Sequence, residues 1–298
     1  MDFIDSLSAE IAAAHTKHSG KEIVRPDYLP DKGEVAEVTE LLRRLLFPGY
    51  FDDNSGDEAE RRRAVRGLLA EVDGRLRRLV CCAMNLDTVK PEDCSEKYGK
   101  ADGVCHEFMG RIPALIELLF ADVQATFDGD PAADSKHEII FAYPGIFAVS
   151  VHRLAHELHL LSVPLIPRMM AEYAHSLTGI DIHPGAKIGH HLCIDHGTGI
   201  VIGETAEIGA YVKLYQGVTL GALSTKGGHD LSGEKRHPTI EDEVTIYSGA
   251  SILGGETVIG RGSVIGGNVF ITKSVPPNTR VNIKKHDLDY GMAKAPGR

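Results

Sequence analysis

Aliphatic or aromatic residues recur every six positions late in this chain, through Ile240, Ile246, Ile252, Val258, Val264 and Phe270. A step of six matches neither the 3.6-residue period of an amphipathic helix nor the two-residue alternation of a strand. It matches a chain winding through short flat faces, with one aliphatic pointing inward per face and a turn after it. Each coil then buries its side chains on the coils before and after. The spacing predicts a hexapeptide β-helix. The same step runs through Ile182, Ile188 and Ile194, and again through Ile202, Ile208, Leu214 and Leu220. Between Ile194 and Ile202 it stretches to eight, directly after Asp195 and His196, which predicts a widened corner. Between Leu220 and Ile240 the glycine-rich, polar stretch GALSTKGGHDLSGEKRHPT cannot be a buried coil, and predicts an extruded loop over 221–239.

Ahead of Gly179 the periodicity is helical. Apolar stripes mark helices over residues 4–15 (Ile4, Leu7, Ile11, Ala14), 34–47, 57–85, 112–127 and 164–177. The segment 139–161 should be two pieces broken at Tyr143-Pro144-Gly145. These stripes are read as core or subunit contact. The expected class is α+β: a helical N-terminal domain over 1–178, a parallel β-helix over 179–275, and a loosely held tail over 276–298, with Pro276-Pro277 ending the strands. A chain of 298 residues can bury two cores. Its net charge of -10 argues against nucleic acid and anionic membrane surfaces as partners. No apolar run approaches a membrane span, and the acidic start MDFIDSLSAEI is not expected to be a signal peptide. Five cysteines without scaffold spacing point to a reducing, cytoplasmic compartment.

Polar and titratable residues gather around the irregular corner: Asp181, His183, His190, His191, Asp195, His196 and Glu204. A histidine with a carboxylate on its far nitrogen is a general base, because the acid fixes the tautomer and stabilises the imidazolium. His196, in the context Asp-His-Gly-Thr-Gly, is the candidate base. For His183, His190, His191 and His229 the ordinary reading is a surface or coil-corner residue. Arg236-His237, at the exit of the extruded loop, can bind a carboxylate through the guanidinium fork, although such a pair can also be a solvated loop.

The segment DIHPGAKIGHHLCIDHGTGIVIGETAEIG, followed by QGVTLGA and KRHPTI, resembles the serine O-acetyltransferases of the hexapeptide-repeat acyltransferase superfamily, over residues from about 130 to 275. The resemblance implies a left-handed parallel β-helix and homotrimers, often paired through the helices. It implies that His196 is the catalytic base and Asp181 its dyad partner, and that Asp195 and Asp130 offer negative charge to the serine ammonium. Arg236 and His237 then recognise the serine carboxylate. Acetyl-CoA as co-substrate lies along the coil edges near Gly221, Ala222, Ser248 and Gly266. No bound cofactor and no metal is expected, since a thioester is already an activated acyl donor.

The sequence departs from the family pattern in places. Gly221-Ala222 stands where two glycines are usual, and the loop before Arg236 is longer than the common bacterial form. The tail ends in Gly297-Arg298 rather than the terminal isoleucine that relatives insert into O-acetylserine sulfhydrylase, so a cysteine synthase complex is not expected. Three other readings compete. One is an acyltransferase with another acceptor, such as an amino sugar. The second is a zinc enzyme like the γ-class carbonic anhydrases, using His191 and His196 with His183 or His237. The third is a non-catalytic scaffold.

Overall fold

The computed structural model describes residues 2–19, 29–51, 56–84, 94–224 and 233–284. Among the described residues seven helices come first: α1 (Phe3–Ser19), α2 (Lys32–Leu46), α3 (Glu58–Met84), α4 (Cys94–Gly129), α5 (Lys136–Ala142), α6 (Pro144–Leu160) and α7 (Ile166–Thr178). Local chemistry sets several ends. The Asp31 carboxylate accepts the Glu34 N–H at 2.8 Å to cap α2, and Ser135 caps α5 through the Glu138 N–H. The break at Tyr143 bends α5 against α6 by 72°. Gly179 ends α7 in the left-handed conformation that glycine adopts freely, and the solenoid starts there.

α4 is twice as long as its sequence pattern suggests. Gly99, Gly103, Gly110 and an internal Pro113 weaken its first twenty residues. Each such residue costs about 1 kcal/mol for glycine and about 3 for proline. Ala101, Cys105, Phe108, Ile112, Leu115, Leu119 and Val123 nevertheless form one buried stripe along it. At about 1.5–3 kcal/mol for each large side chain, that burial prevails. α1 is the opposite case: Phe3, Ile4, Leu7 and Ile11 form the stripe, but all four are exposed. Among the described residues no helix is long and apolar enough to cross a membrane.

From Asp181 the chain winds as a left-handed parallel β-helix. Its first face holds β1 (Asp181–Ile182), β4 (Val201–Ile202), β7 (Thr219–Gly221), β10 (Ser251–Leu253) and β13 (Phe270–Ile271). The second holds β2 (Lys187–Ile188), β5 (Glu207–Ile208), β8 (Thr239–Ile240) and β11 (Val258–Ile259). The third holds β3 (Cys193–Asp195), β6 (Lys213–Tyr215), β9 (Thr245–Ile246), β12 (Val264–Ile265) and β14 (Arg280–Val281). Ile182, Ile194, Ile202, Ile208, Leu214, Leu220, Ile240, Ile246 and Ile252 all point into the core.

Two expectations need correction. After Ile252 the inward positions are Ile259, Ile265 and Ile271, not Val258, Val264 and Phe270; Val258 pairs with Thr239 and Ile259 with Ile240. The turn through Gly254, at φ 104°, carries one extra residue, so the step there is seven and every later side chain changes face. The coil also outlasts Pro276-Pro277, because β14 pairs with β12 beyond it. The middle of the extruded loop, with His229, and the tail from residue 285 lie outside the described residues.

The helices are locked onto the first coil. The Arg153 guanidinium donates to the Asp122 carboxylate through Nε at 2.6 Å and Nη2 at 2.9 Å, and reaches the Gly189 carbonyl at 2.9 Å. The same carboxylate accepts the Leu192 N–H at 2.9 Å. A Cβ on Gly145 would lie 2.4 Å from the Ile194 carbonyl oxygen, so only glycine lets the start of α6 sit on β3.

Candidate active site

The widened corner after β3 places His196 at φ 57°, followed by Gly197 at 89° and Gly199 at 80°. An imidazole in this left-handed region is strained by about 1–2 kcal/mol. It stands out from the solenoid, with its side chain 71 % exposed, and its Nδ1 lies 3.6 Å from Oδ1 of Asp195. The other oxygen of Asp195 is 3.4 Å from the Lys213 ammonium.

Asp130 comes from the turn that closes α4. Its carboxylate accepts the Ala132 N–H at 2.9 Å and the Tyr143 hydroxyl at 2.7 Å. The Tyr143 hydrogen bond, then that of Ala132, holds this carboxyl below its usual range, with the charges of Lys213 and His196 adding to the effect. The reciprocal effect pushes the Tyr143 phenol up to about 12. His196, Asp195 and Asp130 therefore share one electrostatic neighbourhood.

Asp181 opens β1 and pairs with Val201, five residues after His196, so the two flank the same edge of the prism in successive coils. Around its carboxylate stand Arg168, with Nη1 at 3.9 Å, and the α7 residues Glu172 and His175. These last two and Asp181 are the group whose spacing could admit a metal among the described residues, and Arg168 already pairs with Glu172.

Arg236 and His237 lie on a different edge, between the first and second faces, where the loop rejoins β8. Thr205 organises them. Its hydroxyl oxygen accepts the N–H groups of Arg236 at 2.9 Å and His237 at 3.1 Å, and its own N–H donates to His237 Nδ1 at 3.1 Å. Arg236 is also paired to Glu204. Burial, then the Arg236 charge, pushes His237 down to about 4, so the ring is neutral at pH 7. With Nδ1 accepting, its proton sits on Nε2. A Cβ on Gly203 would fall 2.0 Å from this ring, and that glycine makes room for it.

Within one chain the structure brings His196, Asp195 and Asp130 together, sets Asp181 on the same edge with its carboxylate toward α7, and keeps Arg236 and His237 the width of the first face away. The positions expected at the acyl donor divide likewise: Gly221 ends β7 and Ala222 follows it, whereas Ser248 and Gly266 sit on the His196 edge. Gly266 has a packing reason as well, since a Cβ there would meet the Val281 carbonyl at 2.9 Å. His183 accepts the Gly185 N–H at 3.0 Å in a turn, and His190 and His191 pack on Tyr211 at the third edge. His191 and His196 occupy different edges, so the zinc pair of the competing reading does not form within the chain. Tyr143, Glu204, Thr205 and Lys213 join these groups without an assigned role in the sequence reading, although Glu204 and Thr205 stand in the segment that carries the family resemblance; their partners come from other coils or helices.

No family model matches the chain. A plasmid-borne serine acetyltransferase of Synechococcus elongatus is 41% identical over 288 residues, which cover 94% of this chain and 90% of that protein. This chain belongs to the serine acetyltransferase family. The solved structures agree. Serine acetyltransferase isoform 3 of Entamoeba histolytica, in complex with cysteine, superposes with a TM-score of 0.73 at 34% identity, covering 86% of this chain and 84% of that one. The Neisseria gonorrhoeae serine acetyltransferase in complex with serine gives 0.55 at 26% identity, over 83% of this chain and 95% of that one.

Proposed function

We propose that this chain transfers the acetyl group of acetyl-CoA to the hydroxyl of L-serine, giving O-acetylserine and CoA, as a cytoplasmic enzyme of cysteine biosynthesis. The observation that carries the reading is the grouping of an outward imidazole at a strained corner with two carboxylates, Asp195 and Asp130. His196 takes the hydroxyl proton as the serine oxygen attacks the thioester carbonyl. The tetrahedral intermediate expels the CoA thiolate, which receives that proton from the imidazolium. Asp130 and Asp195 hold the ammonium. Arg236, supported by Glu204, takes the carboxylate with the Nε2–H of His237. Asp181 steadies the imidazolium from the neighbouring coil.

The two edges have to meet for this chemistry, and a second chain supplies the missing one. The reading is therefore a homotrimer with first faces turned inward, supported by the exposed Val201 and Phe270 on that face. Acetyl-CoA then runs between Gly221 and Ala222 of one chain and Ser248 and Gly266 of another. The exposed stripe on α1 supports pairing of trimers. The helical unit 1–178, the β-helix from 179 and the loop 221–239 are the proposed divisions. Thiol release from acetyl-CoA, with serine, homoserine and an amino sugar offered in turn, tests the reading. Serine should be fastest; faster release with the amino sugar would reassign the acceptor.

A further inference from the structure

Lys213 opens β6 on the third face, paired with Cys193 one coil back and covered by the turn that ends α4. Its Nζ donates to the Gly129 carbonyl, sits 3.4 Å from Oδ2 of Asp195, and stands 4.6 Å from the centre of the Tyr215 ring. Oδ1 of the same Asp195 is the atom 3.6 Å from His196 Nδ1. One carboxylate is thus shared, with an ammonium on one oxygen and the imidazole facing the other. Gly129 directly precedes Asp130, so the same ammonium also fixes the turn that carries the second carboxylate.

The charged and titratable groups facing this cation and His196 come from every packed element. They are Asp195 and Cys193 on β3, Tyr215 on β6, Asp130 after α4, and Tyr143 before α6 with Glu138 of α5 beyond it. On the same edge as His196 stands Asp181 of β1, its charge offset by Arg168 of α7. Burial opposes the charge of Lys213, but Tyr215, Cys193 and Asp195 outweigh it and raise its pKa. Burial pushes the Cys193 thiol up to about 11, so its part in holding the Lys213 proton is felt only at high pH, and Asp195 is the charge that faces the ammonium at neutral pH.

We propose that Lys213 is a positioning residue for the transfer: it orients Asp195 toward His196 and the substrate ammonium, pins the Asp130 turn to the solenoid, and cancels one of the two negative charges there. The pocket then carries a single net negative charge, suited to one ammonium. The inference rests on the reading of His196 as base and of Asp130 and Asp195 as ammonium ligands.

The pH profile of kcat/KM for serine, measured on the full chain, tests it. The acid limb reports protonation of the base in the free enzyme. Lys213→Met keeps the stem and removes the charge, leaving Asp195 and Asp130 uncompensated beside the imidazole. The limb should move up by about 0.3–1 pH unit, a nearby charge acting through partly exposed surroundings. Lys213→Arg should return it toward the parent. Lys213→Gln reads the same limb should the methionine variant not fold. Lost packing alone lowers the plateau and leaves the limb in place, so superimposed limbs for parent and neutral variants overturn the inference. His196→Ala is run beside them. Parental turnover in that variant would sink the base assignment itself, whatever Lys213 does.

Discussion

His196 holds its imidazole in a backbone conformation that side chains ordinarily avoid, and the surroundings leave the corner no alternative. A Cβ on the next residue, Gly197, would lie 2.5 Å from Ile180 Cδ1, so the corner closes only with glycine there. Loss of a general base costs about 10²–10⁴-fold. His196→Asn, which tolerates the left-handed region, should lose kcat by that factor and keep its thermal midpoint. A matching fall in stability would mean that the ring is structural. Arg236 predicts a different signature. Its guanidinium is paired to Glu204 and is proposed to hold the serine carboxylate, so Arg236→Ala should raise the serine KM about 10–100-fold, as for a charged hydrogen bond, with kcat changed far less. An unchanged KM removes the role. Asp195-His196 and Arg236-His237 were legible in the sequence because each is a contiguous pair beside a break in the six-step period. The pairings of Glu204 and Lys213 were not, because their partners Arg236 and Asp195 lie 32 and 18 positions away in other coils, and periodicity of inward residues says nothing about outward ones.

At the scale of the element, the turn through Gly254 shows how far a period can be trusted. Valine and isoleucine alternate through Val258-Ile259 and Val264-Ile265, so both frames offer an aliphatic at every step and hydrophobicity cannot choose between them. Strand pairing chooses: Ile259 faces Ile240. Ile259→Ala should therefore cost about 2–5 kcal/mol in chemical denaturation, the range for a buried isoleucine. Val258→Ala should cost under about 1 kcal/mol. Equal costs would restore the six-step frame. The long α4 was hidden for the converse reason. Its glycines and proline read locally as breakers, and only the neighbouring helices supply the burial that overrides them.

Across the whole molecule, helices and solenoid share one hydrophobic core, and two buried histidines make its stability depend on pH. His152 on α6 is 3% exposed, with Nδ1 lacking a partner, and burial followed by the nearby charge of His156 holds it well below 6.5. His237, at the foot of the extruded loop, is held down to about 4. For both, the unfolded chain takes up a proton that the folded one refuses. Their contribution is complete above about pH 6.5 and is lost as pH falls, for His237 toward about 4. Asp122, whose carboxyl burial pushes up despite Arg153, works in the opposite direction at the lower end of that window. The informative interval is therefore about pH 6.5 to 5, above the ordinary carboxylate range. There the unfolding midpoint should drop steadily. His237→Gln, which has no proton to gain, should reduce the slope without abolishing it, because His152 remains. A slope unaltered by that substitution would mean that His237 is protonated in the folded protein. Nδ1 would then carry a proton and could not accept the Thr205 N–H, although Nε2–H would remain a donor.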